Sequence, residues 1–200
     1  MTVLITGTSR GIGRYLAEKY LSEGWSVLGC SRKSTDLIHN NYFHAIRDVS
    51  DEVDVISVFN ILKDFGRLDL VINNAGTASM NHSLLMTGSK AKEIMETNFI
   101  GTFLVCREAA KIMINQPEGG KIVNFSSKGV CYDLAGEAVY LASKSAVETL
   151  TNIMSKELPK KIEMKYIRIG FTDTDLTKNI KCTIPRNAFE DIYNMINETT

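Results

Sequence analysis

The chain has 200 residues, with 23 lysines and arginines balanced by 23 aspartates and glutamates. That length suits one domain spanning residues 1–200 with a substantial core, and zero net charge supplies neither a basic field for nucleic acid nor an acidic arm. The four cysteines (Cys30, Cys106, Cys131, Cys182) form no CxxC, and His39, His44 and His82 lack metal-site spacing, so packing roles are expected for all seven. Reduced thiols, together with no charged leader and no long apolar span, give the expectation of a cytoplasmic protein.

Val3-Leu4-Ile5 is a continuous apolar run that suits a strand buried on both faces. It leads into Thr6-Gly7-Thr8-Ser9-Arg10-Gly11-Ile12-Gly13, after which Tyr15, Leu16 and Leu21 recur at helical spacing until Gly24 stops the helix. The glycines therefore lie between a first strand and a first helix. A helix start offers unpaired N–H groups and the positive end of a dipole, and glycines let the backbone approach a pyrophosphate. This placement predicts dinucleotide binding, where glycines alone would mark only an ordinary turn.

Strands are predicted at 2–6, 26–30, 43–47, 69–73, 121–126 and 162–169, and helices at 11–23, 51–65, 89–114, 138–158 and 186–198. The alternation predicts an α/β fold, a doubly wound parallel sheet of about six strands with helices on both faces. The second strand ends in Ser31, Arg32 and Lys33, with no acidic residue. An acidic residue at that strand end binds the ribose of NAD, whereas a cation accommodates the 2′-phosphate of NADP. Arg32, aided by Arg10 from the glycine loop, points to NADP(H).

Asp48-Val49 and Asn74-Ala75-Gly76 follow the third and fourth strands, where ligands of open parallel sheets bind. Asn98 opens or interrupts a long helical stretch whose apolar face runs through Phe99, Phe103, Cys106, Ala110 and Met113. A polar amide on such a face must find partners. The fifth strand ends in Ser126-Ser127. Beyond it, Tyr140 and Lys144 stand four apart on a predicted helix and share a face. An ammonium beside a phenol is expected to ease its ionisation and make a proton donor and acceptor usable near neutral pH.

The glycine loop, Asp48-Val49, Asn73-Asn74-Ala75-Gly76, Asn98, Ser127, Tyr140 and Lys144, in that order, resemble the short-chain dehydrogenase/reductase family over residues 2–177. The resemblance implies a Rossmann-type fold and an NADP(H)-dependent oxidoreductase acting on a small carbonyl or alcohol. Tyr140 would be the general acid in reduction and the base in oxidation. Lys144 would lower the Tyr140 pKa and hold the nicotinamide ribose. Ser127, rather than Ser126, would hold the substrate oxygen, its spacing to Tyr140 being the family's. Asn98 would hold a water of a proton relay. Gly7 to Gly13, Ser31 and Arg32 would cradle the cofactor phosphates, with Asp48 and Val49 near the adenine and Asn74, Ala75 and Gly76 near the ribose. Residues 170–177 resemble the loop that closes over the nicotinamide, with Thr172 and Thr174 near the carboxamide, in the version of 3-oxoacyl carrier-protein reductases.

Two features depart from the family: Ile169 replaces the usual proline before Gly170, and the chain stops at Thr200 without the last strand most relatives carry. The expectation is a homodimer through helices 98–114 and 138–158 rather than the family's usual tetramer, with 162–169 as a sheet edge. A non-catalytic NADP-binding regulator or scaffold on the same fold is the alternative from another class. A sugar-nucleotide epimerase is disfavoured by glycine spacing and by the absence of chain for a substrate domain. The stretches expected to line the substrate pocket, 78–84, 128–137 and 171–185, show no readable preference.

Overall fold

The computed structural model describes residues 1–170, 172 and 187–198. Six strands, β1 (Thr2–Thr6), β2 (Ser26–Ser31), β3 (Tyr42–Ile46), β4 (Leu70–Asn73), β5 (Gly120–Ser127) and β6 (Ile162–Ile169), form one parallel sheet in the order β3-β2-β1-β4-β5-β6. All five residues of β1 are buried, as its unbroken apolar run predicts for a central strand. The register pairs Val3 with both Val27 and Leu70, and Ile122 with both Val71 and Met164.

Alternation along the strands sends side chains into two cores. Leu4, Leu28, Val71, Ile122 and Met164 pack under helices α2 (Glu52–Leu62) and α4 (Gly101–Met113), with Met154 and Leu158 from the end of α5 (Ala138–Glu157). Val3, Ile5, Val27, Ile72 and Val123 pack under α1 (Gly11–Ser22) and α6 (Phe189–Asn197). Each fully buried aliphatic side chain contributes roughly 1.5–3 kcal/mol. The chain thus winds outward from β1 over one face and returns to β4 over the other. The crevice between the carboxyl ends of β1 and β4 is the topological switch point where ligands of such sheets bind.

The six predicted strands are all present within a residue or two of their expected limits. Asp51 starts α2 by accepting from the Val53 and Asp54 amides at 2.8 and 3.0 Å, and Glu52 and Asp54 favour the dipole there. The helix expected over 89–114 is two helices, α3 (Gly88–Met95) and α4, joined by one wide π turn over Glu96–Ile100. Asn98 therefore interrupts the stretch. Residues 32–41 cross from β2 to β3 without a helix. Arg14 of α1 holds this crossover, donating to Thr35 Oγ1 at 2.8 Å and pairing with Asp36 at 2.5 Å.

Candidate active site

The phosphate end is built by the turn from β1 to α1. Gly7 (φ 78°) and Gly11 (φ 59°) take the left-handed conformation that favours glycine. Gly13 is needed for another reason: a Cβ there would run into the Gly7 carbonyl oxygen and the Asn74 amide. Arg10 is the N-cap of α1 in extended conformation. No side chain caps this helix and no acidic residue stands in its first turn, so its leading N–H groups are left for an anion. Gly7, Ser9, Arg10, Gly11 and Ile12 line the cleft. Asn74 lines it too and braces the loop, its Nδ2 donating to the carbonyls of Thr6 (2.7 Å) and Gly7 (3.2 Å). Thr8 and Gly13 do not line the cleft; both are buried, and Thr8 turns its hydroxyl toward Tyr42 and His44. Their part is to seat the loop on the sheet.

At the far end, Ser31, Arg32, Lys33, Arg47, Asp48 and Val49 line the same cleft. Asp48 accepts from the backbone and hydroxyl of Ser50 at 3.0 and 2.8 Å, which fixes its carboxylate. His44, to which the sequence assigns no role in a site, ties this end together. Its Nε2 lies 3.0 Å from the Lys33 carbonyl and 3.1 Å from Ser31 Oγ, and its Nδ1 lies 2.8 Å from the Tyr42 hydroxyl and 3.3 Å from Thr8 Oγ1. A carbonyl can only accept, so Nε2 carries the proton and Nδ1 accepts from Tyr42. One imidazole thereby links the end of β2 to the glycine loop.

The catalytic end lies where β5 meets α5. Tyr140 and Lys144 line the cleft, and Lys144 Nζ sits 5.9 Å from the centre of the Tyr140 ring while donating to the Phe125 carbonyl at 2.8 Å. Gly76 faces them: a Cβ there would come within 3.3 Å of Asn98 Oδ1 and 3.7 Å of Lys144 Nζ. Asn98 and Ser127 flank this wall rather than forming it. Asn98 is buried, accepts from the Thr77 amide (2.8 Å), and donates to the Thr77 carbonyl (2.9 Å) and Ser143 Oγ (3.0 Å). Both its N–H groups are taken; only Oδ1 has capacity left, on the side facing Gly76 and Lys144. The two serines separate cleanly. Ser126 Oγ is committed to Glu148 at 2.6 Å, and Glu148 is clamped by Arg168. Ser127 accepts from the Gly129 amide at 3.1 Å and has the Tyr140 hydroxyl beside it. Thr172 is buried and lines the cleft; Thr174 and most of the loop through 177 lie outside the described residues.

The family model of the short chain dehydrogenases matches residues 1–184. The chain belongs to that family. Human 3-oxoacyl-[acyl-carrier-protein] reductase is 32% identical over 189 residues, covering 88% of this chain and 78% of its own length. The structure of ElxO with NADP bound superposes with a TM-score of 0.87 at 28% identity, over 98% of this chain and 91% of that one. The fold is shared as well by a 3-ketoacyl-(acyl-carrier-protein) reductase from Brucella melitensis complexed with NADH, with a TM-score of 0.89 at 24% identity over 97% and 88% of the two chains.

In this short-chain dehydrogenase the electrostatics of the tyrosine–lysine pair correct the sequence expectation. Burial pushes the Tyr140 phenol up to about 12; the Ser127 hydroxyl holds it back somewhat and the Glu137 charge adds to the rise. The same burial brings the Lys144 ammonium down to about 8. The ammonium is turned to the Phe125 carbonyl, and desolvation outweighs what it could do for the phenol. Among the described residues no cluster of His, Cys, Asp and Glu could hold a metal, and no helix is long and apolar enough to cross a membrane.

Proposed function

We propose that this short-chain dehydrogenase is an NADP(H)-dependent oxidoreductase that interconverts a small carbonyl compound and its alcohol. The observation that carries the reading is one cleft with an uncapped helix start in its middle, Tyr140 and Lys144 at one end, and at the other Arg32 and Lys33, which have no acidic partner among the described residues. The cleft fits a nicotinamide dinucleotide. The first turn of α1 offers N–H groups to a pyrophosphate, Gly76 leaves beside Lys144 the room a side chain would fill, and Arg32 and Lys33 suit a 2′-phosphate. The bound NADP-type cofactor would supply or accept the hydride.

The protein's own part is orientation and proton handling. In reduction the Tyr140 hydroxyl delivers its proton to the substrate oxygen, and its raised pKa keeps that proton in place at neutral pH. Ser127 donates a hydrogen bond to the same oxygen and stabilises charge developing on it. Lys144, cationic below about 8, adds positive charge behind the phenol and faces the ribose side of the cleft. Oδ1 of Asn98 is placed to accept from a water next to Lys144. The likeness to acyl-carrier-protein reductases supports including acyl thioesters among candidate substrates.

The test is a panel of ketones, aldehydes and acyl thioesters followed by NADPH absorbance, run beside Tyr140→Phe. Turnover by the native protein and a loss of at least ~10²-fold in the variant, with NADPH affinity kept, are expected. A protein that binds NADPH yet turns over nothing in the panel would be the non-catalytic binder instead.

A further inference from the structure

Arg32 and Lys33 stand on a stretch that no helix or strand fixes. β2 ends at Ser31, and among the described residues the backbone of 32–36 makes no hydrogen bond to another element's backbone. Side chains hold it instead. Arg14 grips Thr35 and Asp36 from α1. Nearer the cations, His44 of β3 grips Lys33: its Nε2 donates to the Lys33 carbonyl at 3.0 Å. The Ser31 hydroxyl donates to that carbonyl at 2.8 Å and lies 3.1 Å from Nε2. Imidazole, hydroxyl and carbonyl close a triangle, and Arg32 is the residue spanned between Ser31 and Lys33.

His44 itself is half-buried and lines no part of the cleft, whereas Ser31, Arg32 and Lys33 all do. Its other nitrogen is seated by two hydroxyls, Tyr42 at 2.8 Å and Thr8 Oγ1 at 3.3 Å. Gly29 makes room for both: a Cβ there would come within 2.3 Å of the Tyr42 hydroxyl and 2.5 Å of Thr8 Oγ1. With Nδ1 accepting, the ring proton stays on Nε2 and is aimed at Lys33.

We propose that His44 is a positioning residue for the cofactor: by holding the Lys33 carbonyl it orders the Ser31-Arg32-Lys33 turn before binding and so sets the preference for NADPH over NADH. This rests on the NADP(H) reading and deepens it. A turn already ordered loses less entropy when its cations close on a 2′-phosphate. NADH brings no such phosphate. The two sides of the ring therefore serve different ends. Nδ1 works toward the glycine loop and the pyrophosphate, which both cofactors share; Nε2 works toward the turn, which only NADPH uses in full.

Fluorescence titration of NADPH and NADH tests it with two variants. His44→Asn keeps an acceptor at the reach of Nδ1 and has nothing that extends to Lys33; His44→Gln carries an amide N–H to the reach of Nε2. In His44→Asn the ratio of the NADH Kd to the NADPH Kd should fall about 5- to 30-fold, the scale of ordering one residue's backbone, with NADH itself within about twofold of native. His44→Gln should keep the native ratio within about threefold, because the hydrogen bond is restored. A merely structural role would weaken both cofactors together in His44→Asn and leave the ratio standing. That outcome overturns the assignment, and so does a ratio lost equally in His44→Gln. Where His44→Asn does not fold, the native protein decides. Its imidazole nitrogen resonances at mildly alkaline pH should place the His44 proton on Nε2; a proton on Nδ1 leaves no donor for Lys33 and overturns the assignment. A ratio lost in Arg32→Ala but kept in His44→Asn overturns the assignment while the NADP(H) reading survives. A native protein with no preference for NADPH overturns that reading and this assignment with it.

Discussion

Burial acts on Tyr140 and Lys144 in opposite directions, and the pH profile should show it. Tyr140 keeps its proton up to about 12, whereas Lys144 gives up its charge near 8. kcat/KM for NADPH-dependent reduction, which reports the free enzyme, should therefore fall as pH rises through about 8. Lys144→Gln should be slower throughout and lack that limb; a limb that survives in the variant would assign it to another group. The stability sign is the reverse. A lysine with a depressed folded pKa binds fewer protons folded than unfolded, so its contribution improves with pH from about 8 to the ordinary lysine value. Arg32 is the matching test at the other end of the cleft. Arg32→Ala should weaken NADPH binding about tenfold or more, the scale of a lost charge-assisted hydrogen bond, and leave NADH within about twofold in a fluorescence titration. At this scale the sequence disclosed the residues whose partners are close in the chain, such as Tyr140 and Lys144 one helical turn apart. It hid His44. The work of His44 depends on Thr8, Ser31 and Tyr42 meeting in space, which no spacing can display.

Elements turn these residues into a site through backbone constraints. The glycine loop is held from three directions: by Asn74 from β4, by Thr8 against β3, and by Gly13 where α1 touches the loop. Gly13→Ala is then a test of close approach rather than of chemistry. Its added methyl must push α1 away from Gly7, at a cost of about 1–3 kcal/mol. It should lower the melting temperature and weaken NADPH and NADH alike, unlike Arg32→Ala. The central strand β1 was legible as an apolar run buried along its whole length, and the end strand β6 as an alternation of apolar with polar and charged residues. The π turn at Glu96–Ile100 was legible only as an irregularity at Asn98. Its form follows from tertiary demand: Thr77 and Ser143 both need that amide, and a wider turn brings it to them.

At the scale of the molecule, α2, α4 and α5 share one face of the sheet, and that layer keeps apolar side chains on its outside. Ile100 is 39% exposed beside α4 and Ile153 is 53% exposed on α5, while Leu150 is partly covered. Val105 is only 2% exposed and belongs to the core between α4 and the sheet, and Phe103 is partly buried against the same core. The exposed apolar side chains that remain, Ile100 and Ile153, sit on the two helical stretches proposed to pair. Side chains of this kind on adjoining helices are covered most simply by a second copy about a two-fold axis. We propose that dimer. Light scattering at micromolar concentration should give the mass of two chains, and Ile153→Glu should shift the population toward one chain by placing an unpaired carboxylate in the apolar contact. A native mass of one chain, or an Ile153→Glu protein that stays fully dimeric, would show that these helices do not form the interface.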